Sequence, residues 1–223
     1  MIKNDHNEKE RVDSRNALEE YIYDMRDKLA EEGSLASYIV DSERQKICNQ
    51  LNDLENWLYE EGEDCEKDEY RTKLTNLHNS TDPIKARFLE YESQPNEYNA
   101  LGHSMQMAVK AITEYRKGDP KYDHLTETEI LNVTEAAEKA QKWHDEQIGK
   151  FRKSPKTADL PIKSSDIRQQ IQTLTACTNS VFNRSKPKPP SPPVDTAAPN
   201  TTPKEDETTA TEPTFSEDKM DVE

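Results

Sequence analysis

The chain has 223 residues, 34% charged and 31% hydrophobic, with a mean hydropathy of −1.12 and a formal net charge of −15. So few apolar side chains exclude a large compact core and fit slender helical packing instead. The charge excludes nucleic acid and anionic membrane as partners, because phosphate contacts need clustered Lys and Arg, and it favours a basic protein surface.

No run approaches the roughly 18 consecutive apolar residues of a membrane span, and residues 1–11 lack a signal-peptide apolar region, so an intracellular protein is expected. Cys48, Cys65 and Cys177 are an odd number without C-x-x-C spacing, which suits reduced thiols.

Gly33, Gly62, Gly118 and Gly149 each follow an amphipathic run, where a helix needs a left-handed residue to close it. The first helix is predicted over residues 8–32, with Leu18, Ile22, Met25 and Leu29 on one apolar stripe. A second starts at Ser42, whose pattern with Gln45 is a capping box, and carries Ile47, Leu51, Leu54 and Leu58 inward up to Gly62. A third covers residues 66–78 with Tyr70, Leu74 and Leu77 inward. Asp82 then caps a fourth with Pro83 at its first position and Ile84, Phe88 and Tyr91 on its face.

After Pro95, Tyr98, Leu101, Met105, Ala108, Ile112 and Tyr115 recur by threes and fours, predicting a long helix up to Lys117. Thr126 and Glu129 form a capping box, with Leu125 stapled onto Ile130, for a helix that carries Val133, Ala137, Ala140 and Trp143 to Gly149. A linker with Pro155 and Pro161 leads to a short helix over residues 166–177, with Ile167, Ile171 and Leu174 on one side. No segment alternates with period two.

From residue 184 the chain is acidic and Pro-rich, with eight of its thirteen prolines between Pro187 and Pro213, so a disordered tail is expected. Its Lys186–Pro193 stretch has the form of a polyproline II ligand for an SH3 or WW module, although composition favours a plain spacer. Ser191-Pro192 and Thr202-Pro203 have the form of proline-directed phosphorylation sites. The fold class is therefore all-α: an elongated helical bundle and a disordered acidic tail. Its parts are a first bundle over residues 1–94, a long helical extension over 95–150, a linker and short helix over 151–183, and the tail over 184–223.

No phosphate-cradling glycine loop, dinucleotide fingerprint or nucleophile elbow is present. The five histidines never fall at the spacing that puts two imidazoles on one helix face, so no metal site is expected. Cys48 or Cys65 with His78 is a formal nucleophile–base pair, but a polar bundle offers it no pocket or oxyanion donors, and no enzyme activity is expected. What remains is interaction. Val12, Asn16, Glu19 and Tyr23 recur at four, three and four on a face of the first helix distinct from the Leu18 stripe. Such a mixed set suits a partly desolvated protein interface, and an ordinary solvated face is the plainer alternative.

The run Asn16-Ala17-Leu18-Glu19-Glu20-Tyr21-Ile22-Tyr23, with Trp57-Leu58-Tyr59-Glu60-Glu61-Gly62-Glu63-Asp64, Pro83-Ile84-Lys85-Ala86-Arg87-Phe88 and the closing Met220-Asp221-Val222-Glu223, resembles one family. It is similar to the helical C-terminal lid of the large, heat-shock one-ten branch of the heat-shock seventy chaperones. The likeness runs over residues 8–190 and is strongest over 11–88. It implies a C-terminal fragment of a co-chaperone that exchanges nucleotide on heat-shock seventy partners, its bundle gripping the partner's nucleotide-binding domain.

In the resemblance, Asn16 and Glu19 match the positions that touch the partner, and Tyr23 and Val12 are added from spacing alone. The family's cofactor is ATP, held by a domain with no counterpart in these residues, so no cofactor is expected here. Unfolded clients are the other implied partners, and the cytoplasm or nucleus the implied location. A nucleotide-independent holdase acting through acidic helices and tail is the alternative function. A spectrin-like scaffold is a third, disfavoured because the heptads break at Gly33, Gly62 and Pro95. The terminal Met220-Asp221-Val222-Glu223 departs from E-E-V-D, so tetratricopeptide docking is not expected.

Overall fold

The computed structural model describes residues 2–186, with side-chain surroundings from residue 6 onward; these residues form helices and no strand. Five helices follow in order: α1 (Ile2–Leu29), α2 (Asp41–Tyr59), α3 (Lys67–Arg116), α4 (Glu127–Lys153) and α5 (Ser164–Phe182). The all-α reading holds, and every predicted apolar stripe faces inward or lies half-buried.

The main departure is α3. Three predicted helices, over 66–78, from Asp82 and after Pro95, are one continuous helix of 50 residues, about 75 Å long at the usual rise per residue. Asp82 caps nothing, and Pro83 and Pro95 lie inside the helix. Both prolines are exposed, and each leaves one carbonyl of the preceding turn without its N–H donor. The residues just before them are anchored from outside the helix. Thr81 is fully buried and its Oγ1 lies 2.7 Å from the Tyr21 hydroxyl of α1. Gln94 is also fully buried and donates to the Ile162 carbonyl at 2.7 Å. Tertiary anchoring thus carries the helix through two residues that local propensity reads as breaks.

Two hydrophobic cores are strung along this rod. The first joins the Leu18 stripe of α1 and the Ile47–Leu51–Leu58 stripe of α2 to Tyr70, Leu77, Ile84 and Tyr91 of α3, with Leu35, Tyr38 and Ile39 of the α1–α2 connection. The second joins Tyr98, Leu101, Met105, Ala108 and Ile112 of α3 to the inward faces of α4 and α5. Phe151 of α4 lies against both, its ring centroid 5.6 Å from that of Tyr91 and 5.9 Å from that of Tyr98.

That contact explains a second correction. Gly149 does not end α4, which continues to Lys153, because Phe151 is drawn into the junction between the cores. A third concerns α5, expected over 166–177, which runs to Phe182 because Val181 and Phe182 are themselves buried. A fourth concerns α2, which begins at Asp41 behind an extended Val40, with no side-chain cap at its start. Burial of Tyr38 and Ile39 sets the entry of the chain there, so the Ser42–Gln45 box is not used. The Thr126–Glu129 box is formed as expected, with Leu125 and Ile130 both buried beside it.

Gly118 follows α3 with φ of +78°, the left-handed turn assigned to it. Gly62 closes α2 by donating its N–H to the Trp57 carbonyl at 2.7 Å. A Cβ there would lie 2.8 Å from that same oxygen and 2.9 Å from the Trp57 ring, so only glycine fits the closure.

The connection over residues 154–163 is bound to α3 along its length. Tyr91 donates to the Pro155 carbonyl at 2.6 Å, Arg87 pairs with Asp159 at 2.8 Å, and Leu160 and Ile162 pack on the first and second core. Beyond α5, Arg184 pairs with Glu129 at 2.6 Å and Lys186 with Asp123 at 2.7 Å, so the chain is held against the start of α4 as far as residue 186. The rest of the expected disordered tail, its proline motif, both Ser/Thr-Pro dipeptides and the closing four residues lie outside the described residues.

Candidate partner interface

The opening helix presents two sides. Leu18, Ile22, Met25 and Leu29 are essentially inaccessible, while Val12 and Tyr23 are 40% and 42% exposed, Asn16 is exposed and Glu19 is half-buried. All four residues of the expected face therefore lie on an accessible flank of α1, and neither polar group is sealed inside the fold.

The structure links two of them. Tyr59, the last residue of α2, donates its hydroxyl to Glu19 Oε1, and its oxygen lies 3.2 Å from the Tyr23 hydroxyl. Glu19, Tyr59 and Tyr23 thus form one hydrogen-bonded chain between α1 and the end of α2. The Glu19 carboxylate, then Tyr23, holds the Tyr59 phenol well above its ordinary value, since ionising it would set two negative charges in contact. The second Glu19 oxygen has no hydrogen-bond partner among the described residues, nor has the Asn16 side-chain amide. Val12 and Asn16 are not joined to the chain by any such bond.

Cations frame this patch. The Arg15 guanidinium lies 5.9 Å from the Tyr59 ring centroid and that of Arg26 lies 5.8 Å from Tyr23. Arg26 also binds Glu55 of α2 at 2.6 Å and Asn52 at 2.9 Å; its hydrogen bond holds the Glu55 carboxyl below the usual range. At the other end of α1, Lys67 of α3 pairs with Glu10 at 2.5 Å. The flank is thereby fixed from both sides, a rigid display on a helix.

Spacing along α1 did not reveal Tyr59, because the residue comes from another helix. The available signal was Leu58: with Leu58 inward, a residue one position on lies about 100° round the helix, at the edge that meets α1.

Cys65 and His78 of the formal nucleophile pair each take another partner. Cys65 turns its thiol to the Glu61 carbonyl at 3.4 Å, burial pushing that thiol up, while His78 bonds Asp82 at 3.2 Å and stacks on Tyr21. The three cysteines are free. No group of His, Cys, Asp and Glu that could hold a metal occurs among the described residues, and no helix there is long and apolar enough to cross a membrane.

The described residues thus form a helical assembly with a mixed, accessible flank on α1. Residues 1–90 match the family model described as "Hsp70 protein", and residues 109–185 that described as "HYOU1-like, C-terminal domain". Heat shock 70 kDa protein 4 of Homo sapiens is 37% identical over 188 residues, 84% of this chain and 22% of that protein. The 97 kDa heat shock protein of Mesocentrotus franciscanus is 34% identical over 189 residues, 85% of this chain and 21% of its own length. Heat shock 70 kDa protein 4L of Homo sapiens is 38% identical over 189 residues, 84% and 22% respectively. No solved structure gives a significant match.

The chain belongs to the heat-shock seventy superfamily and corresponds to the C-terminal region of its large, heat-shock one-ten branch. It spans about a fifth of the length of the curated relatives it matches.

Proposed function

We propose that this region is one arm of a nucleotide-exchange co-chaperone, with the α1 flank of Asn16 and Glu19 gripping a lobe of a heat-shock seventy partner's nucleotide-binding domain. The observation that carries the reading is the accessibility of these two groups on a helix whose opposite stripe is locked into the first core. The free oxygen of Glu19 suits a Lys or Arg of the partner, and the Asn16 amide supplies a directional contact. A protein that binds the open form of the partner better than the ADP-closed form weakens ADP by the same factor. Because the grip of a whole relative is divided between two arms, these 223 residues alone bind more weakly than such a protein.

The test is binding of the purified chain to a heat-shock seventy nucleotide-binding domain. Asn16→Tyr combined with Glu19→Ala abolishes binding while helix content and melting temperature stay at the wild-type level. Equal binding by the folded double variant would overturn the reading.

Holding of unfolded clients without nucleotide is the second reading. Leu89, Met107, Val109 and Leu131 are each more than half exposed and supply scattered apolar contact points on α3 and α4. Under it, suppression of client aggregation survives the Asn16/Glu19 double change and is lost on deletion of the residues after Arg184.

A further inference from the structure

We infer that Tyr59 is a positioning residue for the partner interface: by donating to one oxygen of Glu19 it fixes that carboxylate so that the other oxygen projects from the α1 flank. The inference rests on the reading of that flank as the partner-binding surface. It rests also on the Tyr59–Glu19 and Tyr59–Tyr23 hydrogen bonds and on the position of Tyr59 at the last residue of α2.

A half-buried glutamate on a lone helix samples several rotamers, and ordering it on binding costs affinity. Here the ordering is done in advance. Tyr59 is itself 50% exposed, so it lies at the surface beside the group it holds. Its ring lies 5.9 Å from the Arg15 guanidinium, and its hydroxyl is shared with Tyr23. The binding surface therefore spans two helices, and the end of α2 belongs to it as much as α1 does. Closure of α2 at Gly62, three residues on, keeps the end of α2 at this place.

The experiment is a double-mutant cycle on the whole chain, with Tyr59→Phe, Glu19→Ala and the pair, titrated against a purified heat-shock seventy nucleotide-binding domain. Tyr59→Phe keeps the ring and removes the hydroxyl with its bonds to Glu19 and Tyr23. It weakens binding by about 3- to 10-fold, the size of one net hydrogen bond, and has no further effect once Glu19 is Ala. Equal affinity of Tyr59→Phe and wild type, or an equal loss in both backgrounds, overturns the positioning role.

A second readout needs no partner. The Tyr59 ring carbon is followed by NMR through alkaline pH in wild type and Glu19→Gln, and the phenol titrates lower in the variant. An unchanged titration shows that the bond is not made and overturns the inference. If the wild-type chain fails to bind while the titration does shift, the proposed function falls instead, and with it any role for Tyr59 in binding, leaving a plain contact between α1 and α2.

Discussion

Glu90 of α3 closes the N-terminus of α5: its Oε2 accepts the Ser164 backbone N–H at 2.7 Å and the Ser164 hydroxyl at 2.8 Å. A helix start is usually satisfied by a residue of its own segment; here a carboxylate from 74 residues earlier does that work. Lys163 adds a local bond, its N–H donating to Asp166 at 2.9 Å.

Glu90→Ala removes that cap and is expected to lower stability by about 1–2 kcal/mol in chemical denaturation, the usual worth of a helix cap. Burial pushes the Glu90 carboxyl up, but the bonds from Ser164 and Gln94 outweigh it, and it lies below its ordinary value of 4.5. Its contribution is thus fully present above pH 4.5 and disappears as the pH falls through the lower folded value. The gap between wild type and Glu90→Ala should narrow on acidification below about 4.5; a gap that widens would refute the assignment.

Two glycines predicted to play the same part should respond in opposite directions. Gly149 lies inside α4 with open space where a Cβ would be, so Gly149→Ala is expected to raise stability by about 0.5–1 kcal/mol. Gly118 also has room for a Cβ, but its φ is +78°, so Gly118→Ala is expected to cost about 1–2 kcal/mol for the left-handed conformation. Thermal melts of both variants decide the matter.

Phe151 couples the cores, and the two tryptophans report on them separately: Trp57 packs against the first and Trp143 against the second. With one tryptophan changed to Phe at a time, urea transitions followed by the other should coincide in an otherwise wild-type chain. Phe151→Ala should separate the two midpoints, because the ring packed against both cores is then lost. Coincident midpoints in that variant would show that Phe151 is dispensable to the coupling.

Thr126→Ala should cost about 1 kcal/mol through loss of the capping box. Arg184, followed by Thr126, holds the Glu129 carboxyl down at about 2. The stability it contributes is therefore complete above pH 4.5 and lost between about 4.5 and 2. Glu129→Gln should remove that portion of the acid profile, which denaturation at stepped pH measures.

Period and composition along the chain determined the helical class, the apolar stripe of each predicted helix, the capping box at Thr126 and the turn at Gly118. Each of these is set by side chains within a few positions of one another, where helical geometry leaves little choice. The α1 flank was legible for the same reason.

Only the tertiary structure decided that Pro83 and Pro95 would be carried within one rod, that α4 would run past Gly149, and that the 154–163 connection would be tied to α3. In each case a distant partner, Tyr21, Phe151 packed between two rings, or Gln94 reaching Ile162, outweighs a local preference worth only a few kcal/mol. Tyr59 belongs to this second group: a hydrogen bond between residues 40 apart leaves no periodic trace, because nothing in the spacing of one helix records which side chain of another will meet it.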